Sequence, residues 1–541
     1  MKPSLVWTLA LVALQSLAGC AISADRAEDE QASVEYEQPF VSDVATLMDF
    51  EFDGELTTSV STNLLTQIRA QLFYTVGHLN GEPGVSRLDR VKITNVTRTV
   101  VGGLNVVKYR VKLPVAWGSK TDLPTSYTLT LPRRIDAAGQ EAFTRKYATI
   151  CNDGDRDATV SNYWYHYRPK AWGCRVDAVD ALTVTAKASV SRENSVAKYP
   201  EYHKVWEDSA LTVVSIFGKY EDGATTSADA GVRAYDDFIA AVRGAFPAAT
   251  TTPAIVPVAP GVATPDVTFT ADLGGGRRLQ IVALLVDNVR TAGPAFDARY
   301  AELSPGADLV LYNGHAGLGA NVRALSQKGR FFPGKYQIFF MNGCDTFAYV
   351  DGALAQARAS LNPDDPSGTK YMDIVTNAMP AYFNDMSEAS MALIGALANP
   401  DAPRSYGAIF REVSAKQVVV ATGEEDNVFN ASYKPASKWG GFHASGAVLD
   451  EQSVTYQTDV LPAGRYVFAM TPEGGAPGGD ADLFVRVGAA PTATATYKCK
   501  SYVYNSNERC AVTLSSPARV HMIAKGDKAT LSKYRVDAFG L

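Results

Sequence analysis

Short apolar runs of strand length alternate with helical segments between about residues 205 and 430, and this alternation limits the fold most strongly. Leu211 to Phe217 is a nearly continuous apolar run, as expected for a strand buried on both faces. Apolar residues at helical spacing follow from Val232 to Phe246. Further strand-like runs span 267–273, 279–286, 308–312, 336–341 and 417–422, and helical patterns span 296–303 and, with a break at Pro380, 371–398. The pattern predicts an α/β domain over residues 205–435 with a mostly parallel sheet.

The segments on either side of this domain predict mainly β-structure. Residues 46–204 contain one helical pattern, from about 57 to 80, and strand-like runs at 91–96, 99–113 and 126–131, so we expect a β-rich domain there. Residues 445–541 contain alternating runs, among them 461–468 and 482–487, separated by a turn rich in Gly and Pro. This last segment predicts a small β-sandwich.

The first twenty residues predict export and a lipid anchor. The apolar stretch from Leu5 to Leu14 is too short to span a bilayer of about 30 Å, and it has the length of the hydrophobic part of a signal peptide. Leu17-Ala18-Gly19-Cys20 closes the segment and resembles the lipobox of bacterial lipoproteins. The resemblance implies a signal peptide over residues 1–20, cleavage before Cys20 and acylation of its thiol; the alternative is an ordinary signal peptide that contains a cysteine.

The expected location is therefore the cell envelope. If the host is Gram-negative, Ala21 after the cysteine resembles the signal for sorting to the outer membrane. Residues 21–45 are rich in acidic residues at their start and poor in large apolar ones, which indicates a solvated tether.

The six cysteines divide into groups with different predicted roles. Acylation of Cys20 removes its thiol from disulfide formation. The other cysteines belong to an exported chain, which is expected to fold in an environment where disulfides persist. Cys151 and Cys174 lie 23 positions apart, Cys499 and Cys510 lie 11 apart, and each pair is a predicted local disulfide. Cys344 remains alone, so it is either a reactive thiol or a buried structural cysteine.

The net charge and the remaining histidines restrict the classes of partner and cofactor that the sequence predicts. The net charge of −6 and the lack of a basic stripe give no reason to expect nucleic acid. Histidines without the spacing of metal ligands are His78, His203, His443 and His521. No cofactor is predicted, with structural calcium as the remaining candidate.

Three acidic segments bear on that calcium. Asp153, Asp155 and Asp157 begin like a calcium loop, but Ala158 and Trp164 replace the glycine and glutamate that an EF-hand needs. The clusters at 424–427 and 480–482 offer oxygen ligands, but the favoured explanations are a charged, solvated loop for the first and a turn for the second.

Two strand ends carry the groups that point to chemistry. The run 307–312 leads into Asn-Gly-His315-Ala-Gly317, and the run 336–341 leads into Asn-Gly343-Cys344-Asp-Thr. Sites of α/β sheets lie at the carboxyl ends of strands, so parallel neighbours would bring His315 and Cys344 to the same edge. An imidazole can lower the pKa of a thiol from about 8.5 or take its proton. The amide of Gly317, or the amides of Gly343 and Cys344, are candidates to bind an oxyanion. Packing and turn formation are the alternative roles.

These two motifs resemble the pattern of the caspase-like (clan CD) cysteine peptidases, which include gingipains, clostripain and CHAT-domain proteases. In that pattern one hydrophobic strand ends in Gly-His-Gly and the next ends in a small residue and Cys. The resemblance implies His315 as general base or acid and Cys344 as nucleophile. The sequence departs from the family pattern at Ala316, where the family has glycine. The segment Gly479 to Arg486, with Cys499 and Cys510, resembles the bacterial pre-peptidase C-terminal domain, which is appended to secreted peptidases.

These features predict an exported lipoprotein that hydrolyses a protein or peptide substrate through a Cys344 thioester. The alternative is a non-catalytic binding or adhesion lipoprotein that retains a peptidase-like fold. A contact between thiol and imidazole would favour catalysis, and a buried, inert Cys344 would favour binding.

Overall fold

A computed structural model describes residues 39–154, 158–350, 352–414, 416–423, 428–430, 441–472, 479–491, 497, 499–500, 506 and 508–540. The predicted lipobox with Cys20, nearly all of the predicted tether, Asp155, Asp157 and the acidic cluster at 424–427 lie outside these residues. Within the described part the strands form four sheets, three of them antiparallel and one mixed.

The first sheet is antiparallel and is formed by residues 46–190. Its strands are β1 (Thr46–Thr58), β2 (Gly84–Ser86), β3 (Lys92–Val101), β4 (Leu104–Trp117), β5 (Ser126–Pro132) and β6 (Ala181–Val190). Its helices are α1 (Leu64–Asn80), α2 (Ala137–Tyr147) and α3 (Tyr163–His166). The strand order is β2-β4-β1-β6-β5, with β3 paired to β4. The predicted first helix thus begins later than expected, because β1 continues to Thr58. The elements that were not predicted are β1, β2, α2, α3 and β6.

The second sheet is mixed and has eight strands. They are β7 (Ala210–Gly218), β8 (Thr250–Thr252), β9 (Asp266–Gly274), β10 (Arg277–Val286), β11 (Leu309–Asn313), β12 (Gln337–Asn342), β13 (Met372–Asn377) and β14 (Val419–Gly423). The helices around it are α4 (Tyr202–Val205), α5 (Ala230–Ala245), α6 (Pro294–Leu303), α7 (Ala320–Lys328), α8 (Ala353–Ala359), α9 (Phe383–Leu397) and α10 (Tyr406–Phe410).

The five central strands of this sheet, β13-β12-β11-β7-β10, are mutually parallel. The edge strands β14, β9 and β8 pair antiparallel to their neighbours. The prediction of a mostly parallel sheet therefore holds for the centre and not for the edges.

The prediction for residues 371–398 is wrong in its first half. A strand, β13, precedes the helix α9, and Pro380 lies in the connection between them. Ile374, Val375 and Thr376 are β-branched, which favours a strand that is buried on both faces.

One hydrophobic core joins the first sheet to one face of the mixed sheet. Alternate residues of the parallel strands, such as Val214 and Val310, belong to the same cluster as Phe50 and Leu113 of the first sheet. Their neighbours Val213 and Leu309 face the other side, where α5 and α9 pack. The first sheet and the mixed sheet are therefore packed against each other without an intervening solvent layer.

The last two sheets form a β-sandwich with its own core. Its strands are β15 (Phe442–Val448), β16 (Ser453–Leu461), β17 (Gly464–Pro472), β18 (Ala481–Val487), β19 (Cys499–Lys500), β20 (Glu508–Leu514), β21 (Ala518–Gly526) and β22 (Ser532–Gly540). The sheet orders are β15-β22-β17-β20 and β16-β21-β18-β19.

Both predicted disulfides are present, Cys151–Cys174 and Cys499–Cys510. The second joins the two sheets of the sandwich, and Arg509 beside it forms a 2.6 Å ion pair with Glu207 of the α/β unit. In the part of the chain described, no helix has the length and apolar character needed to cross a membrane.

Candidate active site

The strand register places His315 and Cys344 at matching positions of the sheet edge. β11 and β12 are parallel neighbours, and Asn313 lies opposite Asn342 at their carboxyl ends. His315 and Cys344 each follow two residues later. The two loops are closely packed, because a side chain at Gly343 would lie 2.5 Å from the Gly314 carbonyl.

The His315 imidazole is exposed at this edge and is held between two aromatic rings. Its Nε2 lies 3.1 Å from the backbone carbonyl of Tyr220, to which a protonated Nε2 donates. The rings of Tyr220 and Phe383 lie 5.0 Å and 5.2 Å from the imidazole, centre to centre. The His315 carbonyl accepts hydrogen bonds from the Tyr312 hydroxyl at 2.7 Å and from Asn321 Nδ2 at 2.7 Å, so its backbone is fixed.

The Cys344 thiol is partly buried and is not in a disulfide. Its Sγ donates to the backbone carbonyl of Ala381 at 3.5 Å, in the connection between β13 and α9. Burial raises the pKa of the thiol above its ordinary value, and the neighbouring Asp345 carboxylate adds to the shift. In the observed conformation the thiol and the imidazole therefore bond to separate backbone carbonyls rather than to each other.

The two glycines predicted as oxyanion donors have distinct surroundings. The amide of Gly343 donates to the Met341 carbonyl at 3.1 Å, so it is already engaged in this conformation. Gly317 begins a turn in which three successive residues have left-handed backbone angles, Leu318 and Gly319 being the others. Glycine adopts this conformation without steric cost, and Leu318 is strained there.

A ladder of buried amides lies directly below the two loops, at residues that the sequence does not mark as functional. Asn342 Nδ2 donates to Asn313 Oδ1 at 2.9 Å, and Asn377 Nδ2 donates to Asn342 Oδ1 at 3.0 Å. The Ser390 hydroxyl donates to Asn313 Oδ1 at 3.0 Å. These bonds join the ends of β11, β12 and β13 with α9.

The acidic residues nearest the two motifs do not face an open pocket. Asp308 is buried at the opposite, amino end of β11 and is paired with Lys335. Asp345 is fully buried, and its Oδ2 accepts hydrogen bonds from Asn80 Nδ2 at 2.8 Å and from the Tyr165 hydroxyl at 3.2 Å. Neither carboxyl is therefore placed to recognise a substrate side chain in this conformation.

A pocket of about 170 Å³ adjoins His315 and Gly317. Its polar lining includes Lys219, Asp222 and Arg290. Lys219 is neutralised by a 2.6 Å ion pair with Asp287, and Asp222 accepts hydrogen bonds from Asn288. The pocket carries charges of both signs beside the imidazole.

The described residues contain no group of three or more His, Cys, Asp or Glu side chains suited to a metal ion. Asp480 forms a 3.2 Å ion pair with Lys528. His166 lies 3.2 Å from the Asp153 carboxylate, and burial lowers the pKa of His78 to about 3. His166 is thus paired, and His78 is buried, within the first unit, which is the first sheet with its helices and flanking segments (residues 39–204). The structural calcium stays a prediction.

Comparisons with known proteins give short matches. No family model matches the chain. A 75-residue segment is 37% identical to alkaline serine exoprotease A of Vibrio alginolyticus and covers 14% of this chain and 13% of that relative.

Among solved structures, the periplasmic g-type lysozyme inhibitor PliG of Aeromonas hydrophila matches 20% of this chain and 90% of its own, at 12% identity and a TM-score of 0.15. The pre-peptidase C-terminal domain of the Bacillus anthracis collagenase matches 18% of this chain and 89% of its own, at 9% identity and a TM-score of 0.15. The 75-residue match alone carries a coarse statement, that a short part of this chain is similar to a short part of a protease.

Proposed function

We propose that this chain is an exported lipoprotein, anchored through Cys20, whose α/β unit is a caspase-like cysteine endopeptidase. Cys344 is the nucleophile, His315 is the general base and acid, and the substrate is a protein or peptide. The location is the cell envelope, at the outer membrane if the host is Gram-negative, and the last sandwich corresponds to a pre-peptidase C-terminal domain.

One observation carries this proposal: parallel neighbouring strands bring a histidine and an unpaired cysteine to matching positions at one carboxyl edge. This edge is where α/β sheets hold their sites. At that edge His315 is exposed and Cys344 is partly exposed.

The reaction requires a change in side-chain contacts. The imidazole leaves the Tyr220 carbonyl and the thiol leaves the Ala381 carbonyl, so that His315 takes the thiol proton as Cys344 attacks the scissile carbonyl. His315 then returns the proton to the leaving amine, and water hydrolyses the thioester. The Cys344 amide is a candidate donor to the oxyanion, since that of Gly343 is engaged with Met341.

The test is cleavage of a fluorogenic peptide library by the protein from residue 21 onward, together with labelling by peptidyl acyloxymethyl ketones. We expect Cys344→Ser to abolish cleavage and labelling, and His315→Ala to reduce kcat by about 10²- to 10⁴-fold. His521→Ala, in the sandwich, is the matched control and leaves both unchanged. Cleavage that survives Cys344→Ser contradicts the proposal.

A second function is favoured by the contacts as they stand. The pKa of the Cys344 thiol is raised, and the thiol and the imidazole bond to separate backbone carbonyls. Both features are expected of a cysteine and a histidine that do not react. If no peptide is cleaved and no ketone labels Cys344, the chain is a binding or adhesion lipoprotein on a peptidase-like fold.

A further inference from the structure

The segment that follows Cys344 is covered by residues of the first sheet and its helices. Asp345 has a left-handed backbone, with φ of 53°, and begins the short 3₁₀ turn Thr346–Tyr349. Its side chain is fully buried, and both of its hydrogen-bond donors, Asn80 and Tyr165, come from the first unit. The residue directly after the thiol is thus tied to a unit that lies about 180 residues or more earlier in the chain.

Further contacts on the same turn come from the first unit. The Arg87 guanidinium lies 5.4 Å from the centre of the Phe347 ring, and the Phe40 ring lies 5.9 Å from it. The Trp164 ring lies 6.3 Å from that of Tyr349. A cation and two aromatic rings therefore pack on the turn in addition to the two hydrogen bonds.

The two donors are themselves held in place. Asn80 is the last residue of α1, and Tyr165 belongs to α3, which packs on α1 so closely that a side chain at Gly77 would lie 2.3 Å from the Trp164 carbonyl. The Arg168 guanidinium donates to the carbonyls of Gly77 and Tyr165 at 2.7 Å and 2.6 Å, which fastens the two helices together. The Cys151–Cys174 disulfide closes the loop that carries α3.

We propose that Asn80 and Tyr165 of the first unit are positioning residues for the Cys344 thiol, which they act on through Asp345. The first unit is then part of the active site rather than an appended domain. This inference rests on the proposed function for its catalytic consequence, but its effect on the thiol is measurable without turnover.

The positioning follows from the geometry of a chain turn. Asp345 is the residue whose left-handed conformation turns the chain away from β12, and a non-glycine residue holds that conformation only when its surroundings fix it. Both donors bond to the same oxygen, Oδ2, so they fix the side chain in one orientation. Loss of either donor frees the turn and exposes the thiol beside it.

The test compares Tyr165→Phe with Tyr163→Phe in the protein from residue 21 onward, where Cys344 is the one cysteine outside the two disulfides. Each variant removes one tyrosine hydroxyl from α3. The Tyr163 hydroxyl donates to the Cys151 carbonyl and does not touch Asp345. Asn80→Ala is the third variant. Alkylation by iodoacetamide at pH 8 is measured with thermal unfolding of each protein.

We expect Tyr165→Phe and Asn80→Ala to raise the alkylation rate by about three- to tenfold, because the thiol loses part of the burial that raises its pKa. Tyr163→Phe leaves the rate unchanged even where it lowers the unfolding temperature. If peptides are cleaved, the first two variants lower kcat and leave KM unchanged.

Equal alkylation rates for Tyr165→Phe and Tyr163→Phe overturn the inference. Failure of the proposed function looks different: no cleavage by any protein, while the alkylation difference persists. Cleavage by the wild type with no difference between the two tyrosine variants removes the inference and leaves the proposed function standing.

Discussion

Asn342 donates a 2.9 Å hydrogen bond from its side-chain amide to the side-chain oxygen of Asn313. Asn342 lies two residues before Cys344, and Asn313 lies two residues before His315. Asn377 extends the contact to β13, and all three asparagines are fully buried. A buried amide is costly unless it is paired, so this chain of bonds fixes the spacing of the three strand ends. The loops that carry the imidazole and the thiol begin from this fixed spacing.

The first prediction concerns Asn342→Ala. The change removes the donor to Asn313 and the acceptor for Asn377 Nδ2, which is left unpaired in the interior. We expect the free energy of unfolding to fall by about 2–4 kcal/mol, measured by urea denaturation. Asn399→Ala, at an exposed position, is the control; a cost for Asn342→Ala as small as that of the control would mean that the ladder contributes nothing.

The second prediction concerns the pH dependence of stability at Asp345. Burial raises the pKa of this carboxyl to about 6, against an ordinary value of 3.8. Its contribution to stability is therefore fully present below pH 4 and is lost as the pH rises through 6. Asp345→Asn keeps an oxygen that can accept both hydrogen bonds and cannot ionise. We expect it to be more stable than the wild type by up to about 3 kcal/mol at pH 8, and to lose this advantage at pH 4.

Urea denaturation at both pH values measures this difference. Asp272→Asn, which removes an exposed charge in the hairpin between β9 and β10, controls for the change in net charge. An advantage of Asp345→Asn that is the same at pH 4 and pH 8 would contradict the assigned titration.

The sequence predicts the centre of the mixed sheet well because burial on both faces leaves a local trace. Leu211 to Phe217 is apolar at nearly every position, and the strand is found at Ala210–Gly218. β13 was missed because polar residues interrupt its apolar pattern. Asp373 pairs with Lys198 at 2.9 Å, and Asn377 belongs to the amide ladder. Partners that lie far away in sequence make these polar residues compatible with a buried strand.

In the candidate site too, local features could be predicted from the sequence and contacts with distant residues could not. His315 and Cys344 share an edge because each directly follows an apolar strand, which a sequence displays. The groups that decide their present state, the carbonyls of Tyr220 and Ala381, come from other loops, and backbone carbonyls leave no mark in a sequence. The hydrogen bond from the Tyr165 hydroxyl to Asp345 joins residues 180 positions apart, and the sequence does not display such a contact.

The third prediction concerns the disulfide that closes the loop bearing α3. Replacing both Cys151 and Cys174 with Ala removes a cross-link over 23 positions, and a loop of this length is worth about 3 kcal/mol in the unfolded chain. We expect the unfolding temperature to fall, and the alkylation of Cys344 to accelerate because Tyr165 is less firmly held. The matched control is the double Ala replacement of Cys499 and Cys510, which lowers stability in the sandwich and leaves Cys344 alkylation unchanged. If both double variants accelerate the alkylation of Cys344, the effect comes from a general loss of stability and not from the loop that bears α3.

The fourth prediction concerns Lys335 and Asp308, which form an ion pair with almost no solvent exposure at the amino ends of β11 and β12. Lys335→Met leaves the Asp308 carboxylate buried without its cation, and breaking a pair of this kind costs about 3–5 kcal/mol. Burial raises the pKa of the Asp308 carboxyl to about 7 even beside Lys335, so at pH 5 the carboxyl is protonated in the variant. The loss of stability should therefore be large at pH 8 and small at pH 5. In the double variant Lys335→Met with Asp308→Asn neither position carries a charge, and its stability should recover most of the loss at pH 8. Urea denaturation of the two variants at both pH values measures this. A single variant with the same cost at pH 5 and pH 8, or a double variant no more stable than the single one, would mean that packing rather than the unpaired charge sets the cost.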